Sequence, residues 1–203
     1  MEIKHIETLI DESLKTSLSY QDYRDQVAQM AEEERTSGLE QTEALINYTM
    51  LNDRRMKRWD KTIKIADNLT ERISQLKTDM TWLVITESWC GDAAHVIPVL
   101  NKLALLNDGI DLRLVYRDEH LELMDQFLTN GNRSIAKVIM IDNQTKSVLA
   151  TYGPRPSEAT KMVNDYKVLH GQLTPEFKED LQRWYNKDKG ATVVLDILEL
   201  LGI

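Results

Sequence analysis

The sequence predicts an α/β fold preceded by a helical region, and three observations carry the prediction. Met80 to Thr86 is an apolar, β-branched run of the kind a buried strand requires. Ala94, Ile97, Val99-Leu100, Leu103 and Leu105-Leu106 then recur at near-helical spacing, so a strand runs into a helix at Cys90. Upstream of residue 79 the apolar residues repeat with helical period only.

Taken in order, Ile3, Ile6, Leu9-Ile10 and Leu14 mark one apolar helical face. Tyr20, Tyr23, Val27 and Met30 mark a second, with Ser19 as its cap, Asp22 three residues on, and Gly38 expected to end it. Further patterns run through Ala44, Leu45, Tyr48 and Leu51, and through Ile63, Ala66, Leu69, Ile73 and Leu76. Each is amphipathic and needs a surface to pack on, either a sheet or a second subunit. After Cys90 come a strand near Ile110 to Tyr116, a helix near Leu121 to Leu128, and strands near Lys137 to Asp142 and Ser147 to Tyr152. Tyr152-Gly153-Pro154-Arg155-Pro156 reads as a rigid turn before a helix near Ser157 to Leu169, with Arg155 expected to pair a carboxylate. His170 to Gly190 holds an added helix, begun by Thr174-Pro175-Glu176 with Pro175 at the first helical position. Its stripe of Phe177, Leu181 and Trp184-Tyr185 reads as core, and Thr192 to Leu201 supplies a terminal helix.

The chain has 203 residues, 42% of them hydrophobic, enough for a substantial core. No stretch approaches the roughly 20 apolar residues of a membrane span, and Met1-Glu2-Ile3-Lys4-His5 lacks the apolar core of a secretory signal, so a cytoplasmic location is expected. A single cysteine agrees with a reducing compartment. A net charge of −8 argues against a nucleic-acid partner. The basic run Arg54-Arg55-Met56-Lys57-Arg58 is diluted by Asp53 and Asp60 and reads as a solvated face or an internal contact.

Cys90 carries the chemistry. Amide N–H groups in a first helical turn lack intrahelical acceptors, and the helix dipole adds about half a positive charge there, so a thiolate is favoured at this junction. Asp92 opposes that, because its carboxylate repels a nearby thiolate. Gly91 allows close approach of another backbone or a substrate. A free cysteine is also among the most buried residue types and often an inert one, but the position at the strand-to-helix junction favours chemistry.

Trp89-Cys90-Gly91-Asp92-Ala93 resembles the Trp-Cys-Gly-Pro-Cys motif of the thioredoxin superfamily, with Asp92 in place of the proline and Ala93 in place of the second cysteine. Pro98 lies where those proteins carry the proline that bends the helix, and the order of later elements fits as well. The resemblance covers residues 79 to 169 and the final helix, and is nearest to single-cysteine thioredoxin-like proteins of bacteria. It implies a central mixed sheet flanked by helices, with residues 1–78 as a helical extension and 79–203 as a thioredoxin-like domain carrying an insertion near 170–190. It also implies that the loop Ile135-Ala136 faces Cys90, with Ala136 where a cis-proline is expected. A cis bond before a non-proline costs about 2.5–4 kcal/mol, so a trans bond is expected there. The buried acid of thioredoxins falls on Val84, so that position offers no general base.

The function implied by this resemblance is that of a monothiol thiol–disulfide oxidoreductase in which Cys90 is the nucleophile, and Trp89, Gly91, Asp92, Ile135 and Ala136 bind the substrate. With no second cysteine, the resolving thiol must come from outside, and the expected partner is a protein disulfide or a low-molecular-weight thiol. No cofactor, metal or membrane partner is expected. The alternative is a redox-inactive or redox-sensing thioredoxin-fold binding module.

Other constellations are weaker. His5, His95, His120 and His170 show no metal-ligand spacing, and His95 lies about 140° around an ideal helix from Cys90, a poor place for its base. Arg117-Asp118-Glu119 is expected at the rim of the motif, and Arg133 either in solvent or beside an acidic thiol.

Overall fold

The computed structural model describes residues 2–203; Met1 and the side chains of Glu2 and Ile3 lie outside the described residues, and with them the place given to Ile3 on the first apolar face. Four helices come first: α1 (Glu2–Thr16), α2 (Tyr20–Glu32), α3 (Glu43–Thr62) and α4 (Asp67–Gln75). The sheet region comes next as β1 (Met80–Thr86), α5 (Ala93–Ala104), β2 (Ile110–Tyr116), α6 (Leu121–Gln126), β3 (Lys137–Asp142) and β4 (Val148–Tyr152). Three helices close the chain: α7 (Ser157–His170), α8 (Pro175–Asp188) and α9 (Ala191–Leu200).

The strands form one mixed sheet in the order β2-β1-β3-β4, with β1 parallel to β2 and antiparallel to β3, and β3 antiparallel to β4. Every residue of β1 is buried, as a central strand covered on both faces demands, whereas β4 alternates as an edge strand. At the opposite edge Leu18 pairs with Leu114 through two backbone hydrogen bonds of 2.8 and 2.9 Å, so the link between α1 and α2 covers part of the exposed side of β2.

A single apolar core runs from Leu9 and Tyr23 through Trp82, Leu83 and Leu100 to Ile197, so the N-terminal helices bury their faces on the sheet and on α5. A smaller cluster of Ala159, Val163, Phe177, Leu181 and Tyr185 joins α7 to α8. The Ser19 cap forms as a full capping box with Asp22. Gly38 does not end α2. The helix stops at Glu32, and Glu34 takes the left-handed conformation, turning the chain so that Thr36 and Ser37 reach the end of β1. The pattern at 44–51 belongs to one longer helix, α3, which continues to Thr62 because Asn52, Met56 and Trp59 extend its buried face.

Candidate functional site

The segment between β1 and α5 brings Cys90 to the end of the central strand. Its carbonyl accepts the Ala94 N–H at 3.2 Å, and its sulfur lies 3.5 Å from the Ala93 N–H, a donor at the head of α5. On the other side the Cys90 thiol donates to the Ile135 carbonyl at 3.3 Å. Ile135 and Ala136 thus face the cysteine across the junction. The Ile135–Ala136 bond is cis, where a trans bond was expected. The thiol contact holds one end of that loop, and the backbone at Gly153 presses on the other. A Cβ at residue 153 would come within 2.2 Å of the Ala136 oxygen, so only glycine fits there.

Cys90 is 8% exposed, buried rather than set at an open edge. Burial, then the nearby Asp92 carboxylate, push its thiol up to about 12, and the Ala93 N–H offsets only part of this. The favourable amide expected at the helix head is present, but loss of water around the anion outweighs it. Asp92 is held by Arg155, whose Nη2 lies 2.7 Å from Oδ2, and by the Tyr185 hydroxyl, which donates to Oδ1 at 2.9 Å. Burial raises the Asp92 carboxyl while the Arg155 charge opposes the rise. Asp92 is thus half-buried, with both carboxylate oxygens engaged by side chains of the chain itself. Val84 is fully buried on the central strand.

A cavity of about 510 Å³ opens beside this junction, lined by Trp89, Cys90, Gly91, Asp92 and Ile135. Ala136, the remaining residue of the expected substrate-binding set, is buried behind the loop and does not line it. A Cβ on Gly91 would meet Arg55 Nη1 at an ordinary 3.6 Å, so the glycine keeps the cavity wall low rather than relieving a clash. Three further walls come from distant elements. Leu45, Tyr48 and Arg55 arrive on α3, Leu181, Gln182 and Tyr185 on α8, and Arg117 and Arg133 from the loops beyond β2 and before β3. Arg117 stacks over the Trp89 ring, 5.0 Å from its centroid, and pairs with Asp118 at 2.8 Å.

His95 also reaches the cavity but is fully used. Its Nδ1 accepts the Trp59 indole N–H at 2.8 Å, its Nε2 meets Gln182 Oε1 at 3.0 Å, and its ring stacks on Tyr185 at 4.2 Å. Burial drives its pKa down to about 3, so it is a neutral imidazole with its proton on Nε2 and no lone pair free for Cys90. Arg155 pairs a carboxylate inside the rigid turn.

Sequence reasoning missed two parts of the site. Arg55 sits in a basic run that reads as a solvated face or an internal contact without pointing to a site, and Asn52, Met56 and Trp59 place that side of α3 inward. Spacing of these three was the available signal. The other is Glu87, fully buried beneath the motif, where it accepts the Ser37 hydroxyl and the Asp118 N–H, the latter at 2.9 Å from Oε1. Burial raises its carboxyl above the ordinary value. Ser88 beside it joins Thr36 and Thr49 in a closed hydroxyl network, and the Asn52 amide donates to its carbonyl at 2.9 Å.

Among the described residues no helix is long and apolar enough to cross a membrane, and no group of three or more His, Cys, Asp or Glu converges on one point. A Pseudomonas aeruginosa protein of unknown function is similar in structure, at TM-score 0.62 and 18% identity, over 95% of this chain and 96% of that one. An HIV epitope-scaffold matches at TM-score 0.55 and 19% identity, over 91% of this chain and 98% of that one. At these identities the likeness is one of fold, and it takes in the N-terminal helices. No curated protein matches the chain. A family model described as Thioredoxin matches residues 38–167, more than half of the sequence and well upstream of β1, and the chain belongs to the thioredoxin family.

Proposed function

We propose that the protein is a monothiol thiol–disulfide oxidoreductase in which Cys90 forms mixed disulfides that an external thiol resolves. The observation that carries this reading is the place of the sulfur: in the wall of the cavity, at the head of α5, opposite the Ile135 carbonyl. Cys90, as thiolate, attacks one sulfur of a substrate disulfide; the sulfur–sulfur bond breaks, a new one forms to Cys90, and the released thiolate takes up the proton Cys90 lost. A second thiol, from a protein or a small molecule, then attacks the mixed disulfide, oxidising itself and returning Cys90 to the thiol. Ala93 offers no second sulfur for this step. A reducing compartment such as the cytoplasm suits such a cycle, since it supplies the resolving thiol. Neither a nucleic acid nor a membrane enters it. Incubation with an excess of small disulfide and then intact-mass measurement should give one adduct, absent in Cys90→Ser; no adduct at any pH up to about 10, where the raised thiol is still partly ionised, would end the proposal.

A second reading is favoured by the thiol's rise to about 12, which leaves little thiolate at neutral pH. Under it the fold is a binding or redox-sensing module whose cysteine does not turn over. Unchanged ligand binding and unchanged cellular phenotype in Cys90→Ser would favour that reading.

A further inference from the structure

The chain as a whole carries a net charge of −8, yet the cavity beside Cys90 is lined by Arg55, Arg117, Arg133, Arg155 and Lys178 against a single carboxylate, Asp92. An acidic protein has gathered cations around its only cysteine. Three of them are matched by carboxylates: Arg155 by Asp92, Arg117 by Asp118 and Arg133 by Asp125. Arg55 is not. Its Nη1 donates to the neutral Asn52 Oδ1 at 2.9 Å, and among the described residues it makes no ion pair. Its half-buried guanidinium is held down by burial while still facing the space over Gly91. Lys178, which lines the cavity from α8, likewise has no ion pair among the described residues. The carboxylate whose charge reaches Arg55 is Asp92, which is already paired with Arg155, so this partly desolvated cation is held ready for an anion that is not part of the chain.

Size selects among anions. A space of about 510 Å³ falls in the range of about 300–1,000 Å³ that small-molecule sites occupy, and α3 and α8 each supply part of its wall. From these observations we infer that the Cys90 cavity takes a low-molecular-weight thiol or disulfide bearing carboxylates, held by Arg55 and Lys178 with its sulfur toward Cys90. This rests on the reading of Cys90 as the reacting group and adds the substrate class. It also gives the helices outside the sheet a purpose, because Arg55 and Lys178 come from α3 and α8.

A charge series of small disulfides of similar size tests it: dithiodiglycolate with two carboxylates, uncharged bis-hydroxyethyl disulfide, and cystamine with two ammonium groups. Binding is first measured by NMR titration on Cys90→Ser, where exchange cannot occur. The expected result is saturable binding of dithiodiglycolate, about tenfold weaker in Arg55→Gln as for loss of a charged hydrogen bond, and no saturable binding of cystamine. Equal binding of the three probes, or none of dithiodiglycolate, overturns the inference. Lys178→Gln, on an exposed position, repeats the test with a smaller expected loss should Arg55→Gln fold poorly. Adduct formation on the wild-type chain is measured in parallel. Adducts at equal rates from all three disulfides would leave Cys90 exchange standing and the anion site overturned. Selective binding without any adduct would uphold the anion site and overturn the exchange.

Discussion

The segment from Glu87 to Asp92 meets two different environments on its two flanks. Glu87 and Ser88 are enclosed by Thr36, Ser37, Thr49 and Asn52, neutral hydroxyl and amide groups that pair with one another and with the strand end. Trp89 to Asp92 meet a cavity ringed by guanidinium groups and a lysine, two of them without a carboxylate partner among the described residues. Closed hydrogen bonding on the first flank marks a joint that fixes the N-terminal helices to β1. Unmatched charge around open space on the second marks a place for something the chain does not contain. Burial alone would not have separated them, since Cys90 and Ser88 are both buried.

The sharpest way to break this contrast is to titrate the cysteine that lies between the flanks. A thiol raised from 9.0 to about 12 has its thiolate population cut by about a thousandfold near neutrality, and the greater nucleophilicity of a more basic thiolate recovers part of that. Alkylation at pH 7 should therefore run roughly fiftyfold slower than for a free thiol and keep rising with pH beyond about 9 without a plateau. Asp92→Asn removes the second cause of the rise and should bring the inflection down. An inflection at or below neutrality in the wild-type chain would show that the helix head, not burial, governs the sulfur.

Next in size is the joint. Asn52 is fully buried, and replacing it with leucine leaves the Ser88 carbonyl without its donor and Arg55 without its acceptor. The expected loss is about 2 kcal/mol, the cost of an unpaired buried polar group, read as a lower urea midpoint at unchanged slope. A loss under about 0.5 kcal/mol, typical of a surface change, would mean that this flank is not structural.

A smaller effect should appear in the pH dependence of stability. Glu87 has its folded pKa raised by burial, so the folded chain holds the proton where the unfolded chain has released it. Its contribution is full below the ordinary glutamate value of about 4.3 and declines as pH rises toward the raised folded value. In Glu87→Gln, which cannot ionise, unfolding free energy measured from about pH 4 to 8 should fall less steeply than in the wild-type chain. Parallel curves would show that the Ser37 hydroxyl and Asp118 N–H fully offset burial. Asp92, raised in the same direction, contributes its slope to both proteins.

The same contrast explains what could be read from the sequence. Strands Met80–Thr86, Ile110–Tyr116 and Lys137–Asp142 lie where their apolar patterns put them, continuous in the first and third and alternating at the start of the second, because such patterning is a local signal. Ser19 with Asp22, and Thr174 with Pro175, also act within one turn and were legible for that reason. Arg55, Gln182 and Tyr185 were not, since periodicity reports which helix face is apolar and says nothing of what that face meets. The stripe on α8 reads correctly as core through Phe177, Leu181 and Tyr185, yet the same helix also walls the cavity with Leu181, Gln182 and Tyr185. Glu87 was hidden by its neighbours: an acid after an apolar strand reads as the strand's solvent end, and only the Ser37 and Asp118 contacts from distant loops allow it to be buried.

The smallest expected change is also the most discriminating for the second flank. If Lys178 is held for an absent anion, then without that anion its charge only adds to the repulsion among the cavity's other cations. Lys178→Gln should leave stability unchanged or raise it by up to about 0.5 kcal/mol, and the gain should fade as salt rises, because Lys178 is exposed. A saturating carboxylate-bearing disulfide should reverse the order, stabilising the wild-type chain more than the variant by mass action. If the substitution instead cost more than about 1 kcal/mol in the absence of any anion, Lys178 would be serving the fold rather than the cavity, since surface changes away from structural contacts stay within about 0.5 kcal/mol.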